Sequence, residues 1–428
     1  MKEMVHRIYA NRKSEKVFSW IKLVAMTGGA QVIVQGLGFI SGIMVIRMLP
    51  TQEYAFYTLA NTMLGTMTIL ADGGIGTGVM AQGGKVWKDR ERLGAVLATG
   101  FDLRKKFAIV SLIIAIPLLV YLLQHHNASW LLTCLIIASL IPAFFTALSN
   151  NLLEIAPKLR QDIFSLQKNQ IQVSVGRLLM VGLALFIYPW AFLAILAGGF
   201  SQIWANVRLK QISSRYADWT QKPDPEIRLH IYSFVKRILP GSIYYCVSSQ
   251  VTIWIISVFG STKAVAQVGA LARLSALLNL FSVLFTTLIV PRFARLPNVK
   301  RDVYKKFFII QGGLFLISII IVGIVSIFSK DILWILGKDF AGLTNEVLLI
   351  AIGSCMSLIS VSTNQLLSSR GIIVPPLILI SFAIIVQVSI ALLMDLSKVE
   401  SVLLYGIYIS AVIYSLRLIY LFFIIKKS

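Results

Sequence analysis

The chain contains twelve apolar runs, each about 20 residues long, and these runs limit what it can fold into. A run of that length matches the hydrocarbon thickness of a bilayer when it is helical. The composition agrees, because 57% of the residues are hydrophobic and the mean hydropathy is +0.80, too apolar for a soluble protein. In lipid the backbone must satisfy its own hydrogen bonds, which favours helices. We therefore predict an all-α polytopic membrane protein with about twelve transmembrane helices. The predicted spans are 23–46, 54–80, 107–123, 129–153, 171–188, 190–207, 238–259, 264–290, 307–328, 344–367, 372–394 and 401–425.

Basic residues are distributed unevenly between the connections. If the N-terminus is cytoplasmic, 32 of the 40 Lys and Arg residues lie in inner segments and five lie in outer loops. Cytoplasmic loops of membrane proteins carry such an excess. The bias predicts that both termini are cytoplasmic, and it explains the net charge of +22 without nucleic acid.

The longest inner connection, 208–237, divides the predicted helices into six and six. Transporters built from repeated halves have this arrangement. We expect a cytoplasmic N-terminal segment at 1–22, a first lobe at 23–207, a basic linker at 208–237 and a second lobe at 238–428. The N-terminal segment reads either as a basic amphipathic helix on the inner membrane face or as a disordered tail.

One charge interrupts the apolar run 264–290, and this is Arg273. An arginine facing hydrocarbon costs from about 3 to more than 10 kcal/mol, so such residues face a bundle interior or a watery cavity. We interpret Arg273 as lining a cavity that accepts something negatively charged, and a structural ion pair is the alternative. Arg177 and Arg417 also fall within spans, but both are near a membrane surface and have room to snorkel. Arg47 lies at an outer helix end, where a charge needs no special explanation.

Amide side chains inside the spans form a second set of candidates. Interhelical hydrogen bonding is the ordinary interpretation of each one, although a sugar-bearing substrate would need such groups in number. With the four arginines above, the candidate substrate-binding residues are Gln31, Gln35, Asn61, Gln250 and Asn279.

Acidic residues are scarce in the membrane. Asp72 lies within a span and Glu154 lies at an inner helix end, so these two are the candidates for ion coupling or for a structural role. The three cysteines are far apart and lack metal-ligand spacing, and the adjacent pair His125 and His126 is poorly suited to one metal ion. No catalytic set is recognisable. We expect no metal, no cofactor and no enzymatic activity.

Several stretches of the sequence are similar to those of a known family. They are MVIRMLPTQEYAFYTL (44–59), ILADGGIGTGVM (69–80), VGALARLSALLNLFSVLFTTLIVPRFARL (268–296), ILWILGKDFAG (332–342) and NQLLSSRG (364–371). In their order and spacing they resemble the bacterial polysaccharide and O-antigen flippases of the multidrug/oligosaccharidyl-lipid/polysaccharide exporter superfamily. The resemblance implies two six-helix lobes around a central cavity in the bacterial cytoplasmic membrane. It also implies an undecaprenyl-diphosphate-linked oligosaccharide as substrate.

The sequence therefore predicts a flippase that carries a lipid-linked oligosaccharide to the outer leaflet by alternating access. The expected partners are that lipid, membrane lipids and other polysaccharide assembly proteins, with no nucleic acid. A drug or cation antiporter of the same superfamily is the first alternative, although it would need acidic residues in its cavity. A membrane polysaccharide polymerase or ligase is the second, although no outer loop is large enough to be persuasive.

Overall fold

The computed structural model describes residues 28–290, 293, 300–370 and 375–427, and its regular elements in these ranges are all helical. The first eight helices are α1 (Gly28–Met48), α2 (Thr51–Asp72), α3 (Ile75–Val86), α4 (Arg90–His125), α5 (Trp130–Leu153), α6 (Ile155–Leu159), α7 (Ile163–Ile187) and α8 (Ala191–Ser214). The next seven are α9 (Pro225–Phe259), α10 (Thr262–Leu284), α11 (Lys300–Ile327), α12 (Ser329–Leu336), α13 (Thr344–Ser369), α14 (Pro376–Leu393) and α15 (Val399–Lys427). A π-helical turn, Phe285–Ile289, continues α10.

Nine stretches in the described part are long and apolar enough to cross a membrane, and α9 adds a tenth if its two segments, bent by 46°, count as one span. The helix α10 has 23 residues, which is sufficient length. The helix α2 has 22 residues, which is also sufficient, but it is more polar. This polarity has a structural reason, since α2 is enclosed by protein: Tyr54, Leu59, Met63 and Met67 are each at most 1% exposed. With these three helices the fold accommodates the twelve predicted spans, and the protein is an all-α polytopic membrane protein.

The contact between α2 and α10 is very close. A Cβ atom on Gly269 of α10 would overlap the side chain of Thr58 on α2. Only glycine lets the two backbones approach this far, as is common where helices pack in membranes. The helices α2 and α10 therefore lie side by side in the interior.

Two of the described helices begin more than ten residues earlier than the sequence predicted, at 90 instead of 107 and at 225 instead of 238. The helix α4 starts at Arg90, where the Asp89 carboxylate accepts hydrogen bonds from the backbone N–H groups of Glu91 and Arg92 at 3.1 Å. The helix α9 starts at Pro225, after Asp224 caps it in the same way. An aspartate cap and a proline in the first turn are strong start signals. The second part of the predicted linker 208–237 is therefore helical.

The predicted span 54–80 is broken at Gly73 and Gly74, which both have positive φ angles, +46° and +93°. At Gly74 an added Cβ atom would lie 2.8 Å from the Cβ atom of Ile238 in α9. Glycine is needed here both for the backbone conformation and for the close approach of α9. The chain consequently continues as a separate helix, α3, which packs against α9 and α4.

A buried ion pair lies next to this break. Arg104 on α4 is 3% exposed; it donates hydrogen bonds to the Asp72 carboxylate and to the backbone carbonyl oxygen of Leu148 on α5. The Asp72 Oδ1 atom also accepts from the backbone N–H of Gly76 at 3.1 Å. One arginine thus joins α2, α4 and α5 where the backbone of α2 ends.

We call residues 28–214 the first half and residues 225–427 the second half, and we name the two ends of the bundle from the predicted orientation. At the outer end the halves meet along a seam. There Thr51 donates to the Asp339 carboxylate at 2.8 Å, and Tyr54 packs edge-on against Phe340. A single apolar cluster spans this outer seam, joining Val45 and Leu119 to Leu333 and Val402.

The buried ring of His126 also belongs to the outer seam. Its Nε2 and Nδ1 atoms lie 3.1 Å from the Ser257 hydroxyl and 3.0 Å from the Thr262 hydroxyl. Ser257 is near the end of α9 and Thr262 begins α10, so one side chain from the first half touches two helices of the second.

At the inner end the contacts between the halves come from the beginning of α9. Arg228 forms an ion pair with Asp102 of α4 at 2.9 Å, and the backbone N–H of Asp224 donates to the Thr99 hydroxyl at 2.8 Å. The start of the second half is therefore attached to the first. The lobe boundaries at 207 and 238 stay a prediction.

Candidate ligand cavity

A cavity of about 330 Å³ lies between α1, α2, α7 and α10. Its lining residues are Val32, Gln35, Gly36, Gly38, Phe39, Ser41, Gly42, Tyr57, Arg177 and Arg273. Three glycines on α1 open the space, because they present no side chain to it. This cationic cavity is the place where the structure brings charged residues of several spans together.

Arg273 enters the cavity from α10. Its guanidinium carbon lies 6.0 Å from the centre of the Tyr57 ring, at the limit of a cation–π contact. On the other side, a Cβ atom on Gly42 would lie 3.3 Å from the Arg273 Cδ atom. The arginine stem therefore runs across α1 at a position that only a residue without a side chain leaves open.

Arg177 enters from α7 and remains exposed. Its Nε atom lies 3.6 Å from where a Cβ atom of Gly198 on α8 would be. Both guanidinium groups lie within electrostatic reach of the Tyr57 phenol. Tyr57 thus sits between two positive charges contributed by α7 and α10.

The charge of the cavity is not compensated by acid. Its lining holds two arginines and no carboxylate, and neither arginine forms an ion pair among the described residues. A bound anion would supply the negative charge that the lining lacks.

The other two predicted arginines lie outside the cationic cavity. Arg47 donates to the backbone carbonyl oxygens of Trp334 at 2.6 Å and of Ile335 at 2.9 Å, and its guanidinium carbon is 5.0 Å from the Trp334 ring centre. It therefore caps the end of α12 across the outer seam. Arg417 donates to the Ser360 carbonyl and hydroxyl oxygens at 2.7 and 2.9 Å, which joins α15 to α13.

The predicted amides are also divided. Gln35 lines the cationic cavity, and Gln31 lies one turn away on the same face of α1. The Asn61 side chain donates to the Tyr57 carbonyl oxygen at 2.9 Å within α2, and the Gln250 amide lies beside Gly65. The side chain of Asn279 lies outside the part of the chain that the structure describes.

The two predicted carboxylates lie away from the cavity and have partners. Asp72 pairs with Arg104 as described above. Glu154 accepts from Lys158 at 2.6 Å and from the Asn150 amide at 2.9 Å. No group of three or more metal-ligating side chains is found in the described ranges.

Sequence reasoning missed Tyr57, Phe39, Ser41 and Gly42 as cavity residues. The sequence did point towards Tyr57, because it lies one helical turn before the predicted residue Asn61 and within the stretch 44–59 that resembles the flippase sequences. The two α1 residues Phe39 and Gly42 carry no such signal, because an apolar helix has several faces of similar composition.

One further cavity adjoins this one, and another adjoins that in turn. The first has a volume of about 250 Å³; it shares Phe39 with the cationic cavity, and ten of its twelve lining side chains are apolar. The second has a volume of about 430 Å³ and adjoins the first at Leu278, Ile350 and a hydrogen-bonded pair, Ser275 and Ser354. Its lining presents seven hydroxyl groups, from Tyr245, Thr252, Ser275, Ser282, Ser354, Ser357 and Ser410.

No family model matches the chain, and no curated protein matches it. Solved structures of other proteins do match the chain. An inward-facing multidrug resistance MATE family transporter of the MOP superfamily superposes with a TM-score of 0.72 at 14% identity, covering 92% of this chain and 96% of that one. The inward closed lipid II flippase MurJ superposes with a TM-score of 0.68 at 12% identity, covering 94% and 87%. The chain has the fold of the MOP-superfamily transporters.

The conformation can be compared as well. An outward-facing MATE family transporter of the same superfamily superposes with a TM-score of 0.59 at 14% identity, covering 93% of each chain. The backbone of this chain therefore superposes better on the inward-facing structure than on the outward-facing one.

Proposed function

We propose that this protein is a flippase that moves an undecaprenyl-diphosphate-linked oligosaccharide, such as an O-antigen or other surface polysaccharide repeat unit. The direction is from the cytoplasmic to the outer leaflet of a bacterial inner membrane, with both termini cytoplasmic. The observation that carries the proposal is the uncompensated pair Arg177 and Arg273 on either side of Tyr57. Two guanidinium groups are suited to bind a diphosphate, since each offers a planar set of donors that matches two phosphate oxygens.

The apolar cavity that adjoins the cationic cavity supports a ligand with an anionic part and an apolar part. A diphosphate in the cationic cavity would have this apolar cavity beside it, at Phe39, for the first units of a polyprenyl chain. Gln35 in the cationic cavity, with Gln31 one turn away, would add amide contacts to the substrate.

Transport follows from alternating access. With the outer seam closed, the headgroup enters from the inner side; separation of the halves at the seam then releases it outward. A membrane potential that is negative inside helps an anion to leave, by roughly 2.3 kcal/mol per charge per 100 mV. This driving force requires no carboxylate in the cavity. In this scheme Arg47 stabilises the closed seam, and Arg417 stabilises the second half.

A drug or cation antiporter is the second candidate, because multidrug resistance MATE transporters share the fold. The charge of the cavity argues against it. An organic cation entering between Arg177 and Arg273 would be repelled, and the carboxylates of Asp72 and Glu154 are engaged elsewhere.

The test is flipping of a fluorescent polyprenyl-diphosphate oligosaccharide in proteoliposomes. We expect Arg273→Ala and Arg177→Ala each to reduce the rate at least tenfold, and Arg273→Lys to retain part of it, since charge persists while the two-donor geometry is lost. Arg208→Ala is the matched control: that guanidinium contacts Gln172 and Trp204 outside the cavity.

Two results would overturn the proposal. One is full flipping by the double variant Arg177→Ala/Arg273→Ala. The other is saturable binding of a cationic dye to the cavity that the same double variant strengthens and that lipid diphosphates do not displace.

A further inference from the structure

A second open space lies at the inner end of the first half. It is a groove of about 560 Å³ between α4, α5, α8 and the segment 215–224, and it shares no residue with the cationic cavity. Its lining includes Asp102 and Lys105 of α4, Lys210 of α8 and Trp219, together with the polar side chains of Thr146, Ser149 and Asn206. We call these residues, together with Ile203 and Val207, the inner groove.

The charge of the inner groove is positive. The one carboxylate in its lining, Asp102, is engaged by Arg228 at 2.9 Å and by Lys106 at 3.3 Å. By contrast, the ammonium groups of Lys105 and Lys210 form no ion pair with any residue that the structure describes. Two lysines are therefore available to an anion from outside the chain.

Trp219 supplies a further donor. Its Nε1 atom is buried, yet it has no acceptor among the described residues. A buried indole N–H normally finds a partner. Its ring packs edge-on against Phe101, which fixes its position in the lining. A ligand with an acceptor oxygen would complete this hydrogen bond.

Helix lengths put the two lysines at headgroup level. From Ala191, where α8 begins, to Lys210 there are 19 residues, or about 29 Å at the rise of an α-helix. From His125, where α4 ends, back to Lys105 there are 20 residues, or about 30 Å. Both lengths equal the hydrocarbon thickness of a bilayer, about 30 Å. Two independent helices therefore place their ammonium groups at the inner membrane interface.

Apolar surface continues from the lysines towards the membrane centre. Ile203 and Val207 lie on the same face of α8 as Lys210, in the two preceding turns, and are 38% and 57% exposed. The groove therefore offers positive charge at the membrane interface and aliphatic surface next to it, closer to the membrane centre.

We propose that the inner groove binds an acidic phospholipid of the inner-side leaflet. The phosphate lies between Lys105 and Lys210 and accepts from Trp219 Nε1, and an acyl chain lies along Val207 and Ile203. Since α4, α8 and the segment 215–224 all contribute, the bound lipid ties this connection to the first half. The site is independent of the proposed flippase activity.

The experiment measures lipid binding to the purified full-length chain by native mass spectrometry and by thermal melting. We expect phosphatidylglycerol to bind and to raise the melting temperature, phosphatidylcholine to bind at least about tenfold more weakly, and glycerol 3-phosphate without chains to give no shift. Lys105→Gln/Lys210→Gln removes two exposed charges, so it should fold normally and lose about tenfold or more in affinity. Trp219→Phe should weaken binding less.

The control is Lys305→Gln/Lys306→Gln, which makes the same charge change on exposed lysines near the start of α11 and should leave affinity unchanged. Equal phosphatidylglycerol affinity of Lys105→Gln/Lys210→Gln and the unaltered protein would overturn the proposal. A melting shift with glycerol 3-phosphate as large as with the lipid would also overturn it, because it would mean a site for free phosphate.

Discussion

At the scale of single residues, the protein uses the charges within its helices in two different ways. Arg104 and Asp72 neutralise each other inside the first half, whereas Arg177 and Arg273 have no carboxylate to pair with in the described part of the chain. The paired charges of Arg104 and Asp72 have a structural role, because each neutralises the other. An unpaired cation beside a cavity is the arrangement expected where an anionic ligand supplies the missing charge.

The first prediction concerns Asp72. Asp72→Ala would leave Arg104, 3% exposed, without its counter-ion, and should lower the free energy of unfolding by about 3 to 5 kcal/mol. Chemical denaturation in detergent measures this. Arg92→Gln is the control; Arg92 pairs with Asp89 at the surface with 77% of its side chain exposed, and such pairs contribute at most about 1 kcal/mol.

The Asp72→Ala variant also tests whether Asp72 has a role in transport. If Asp72→Ala folds with unchanged stability but alters the ion dependence of flipping, the carboxylate couples an ion and its structural assignment is wrong.

At the scale of helices and their connections, the outer seam depends on a titratable ring. The pKa of His126 is lowered from its usual value of 6.5, mainly because burial disfavours the imidazolium and also because His125 is adjacent. His125 itself is exposed and stacks on Tyr121. With the seam closed His126 is therefore neutral over a wider pH range than when the seam is open.

The direction of the effect of pH on the outer seam follows from this lowered pKa. Above about pH 7 the ring is neutral in both states and the seam has its full stability. As pH falls through 6.5, the exposed ring of the open state gains a proton first, so acid favours opening. We expect distance measurements across the seam by spin labelling to show more open molecules at pH 5.5 than at pH 7.5.

His126→Gln should abolish this dependence while keeping hydrogen bonds to Ser257 and Thr262, and His125→Gln should leave it in place. An unchanged response in His126→Gln would assign the effect to another group.

At the scale of the whole molecule, we expect the close contact of α2 and α10 to influence the balance between conformations. Gly269→Val would push against Thr58 at the seam, so it should shift the population from the inward-facing state to the outward-facing state. Labelling of a cysteine in the cationic cavity from the outer side measures this shift. Gly313→Val on α11, where an added Cβ atom meets nothing within 4 Å, is the control and should not change labelling. Equal labelling of both variants would count against the α2–α10 contact as a determinant of closure.

Much of the architecture follows from the sequence because lipid imposes it. Apolar runs of fixed length must become helices, and an arginine such as Arg273 must find a polar surface. The early start of α4 was foreshadowed by the apolar stretch 93–103, whereas that of α9 was missed although Asp224-Pro225 marks it, because hydropathy alone sets the predicted edges. The break at Gly73 depends on the approach of Ile238 from a distant helix, which no local pattern reveals.

The sequence by itself determined that the chain is a helical membrane protein and that three arginines lie within its spans. Only the tertiary structure decided what each arginine faces. Arg273 and Arg177 line one cavity with Tyr57, while Arg417 donates a hydrogen bond to the Ser360 carbonyl oxygen of a neighbouring helix. The reason is geometric. A helix fixes the depth of a side chain in the bilayer through its rise per residue, but the direction in which the side chain points depends on how the helices pack.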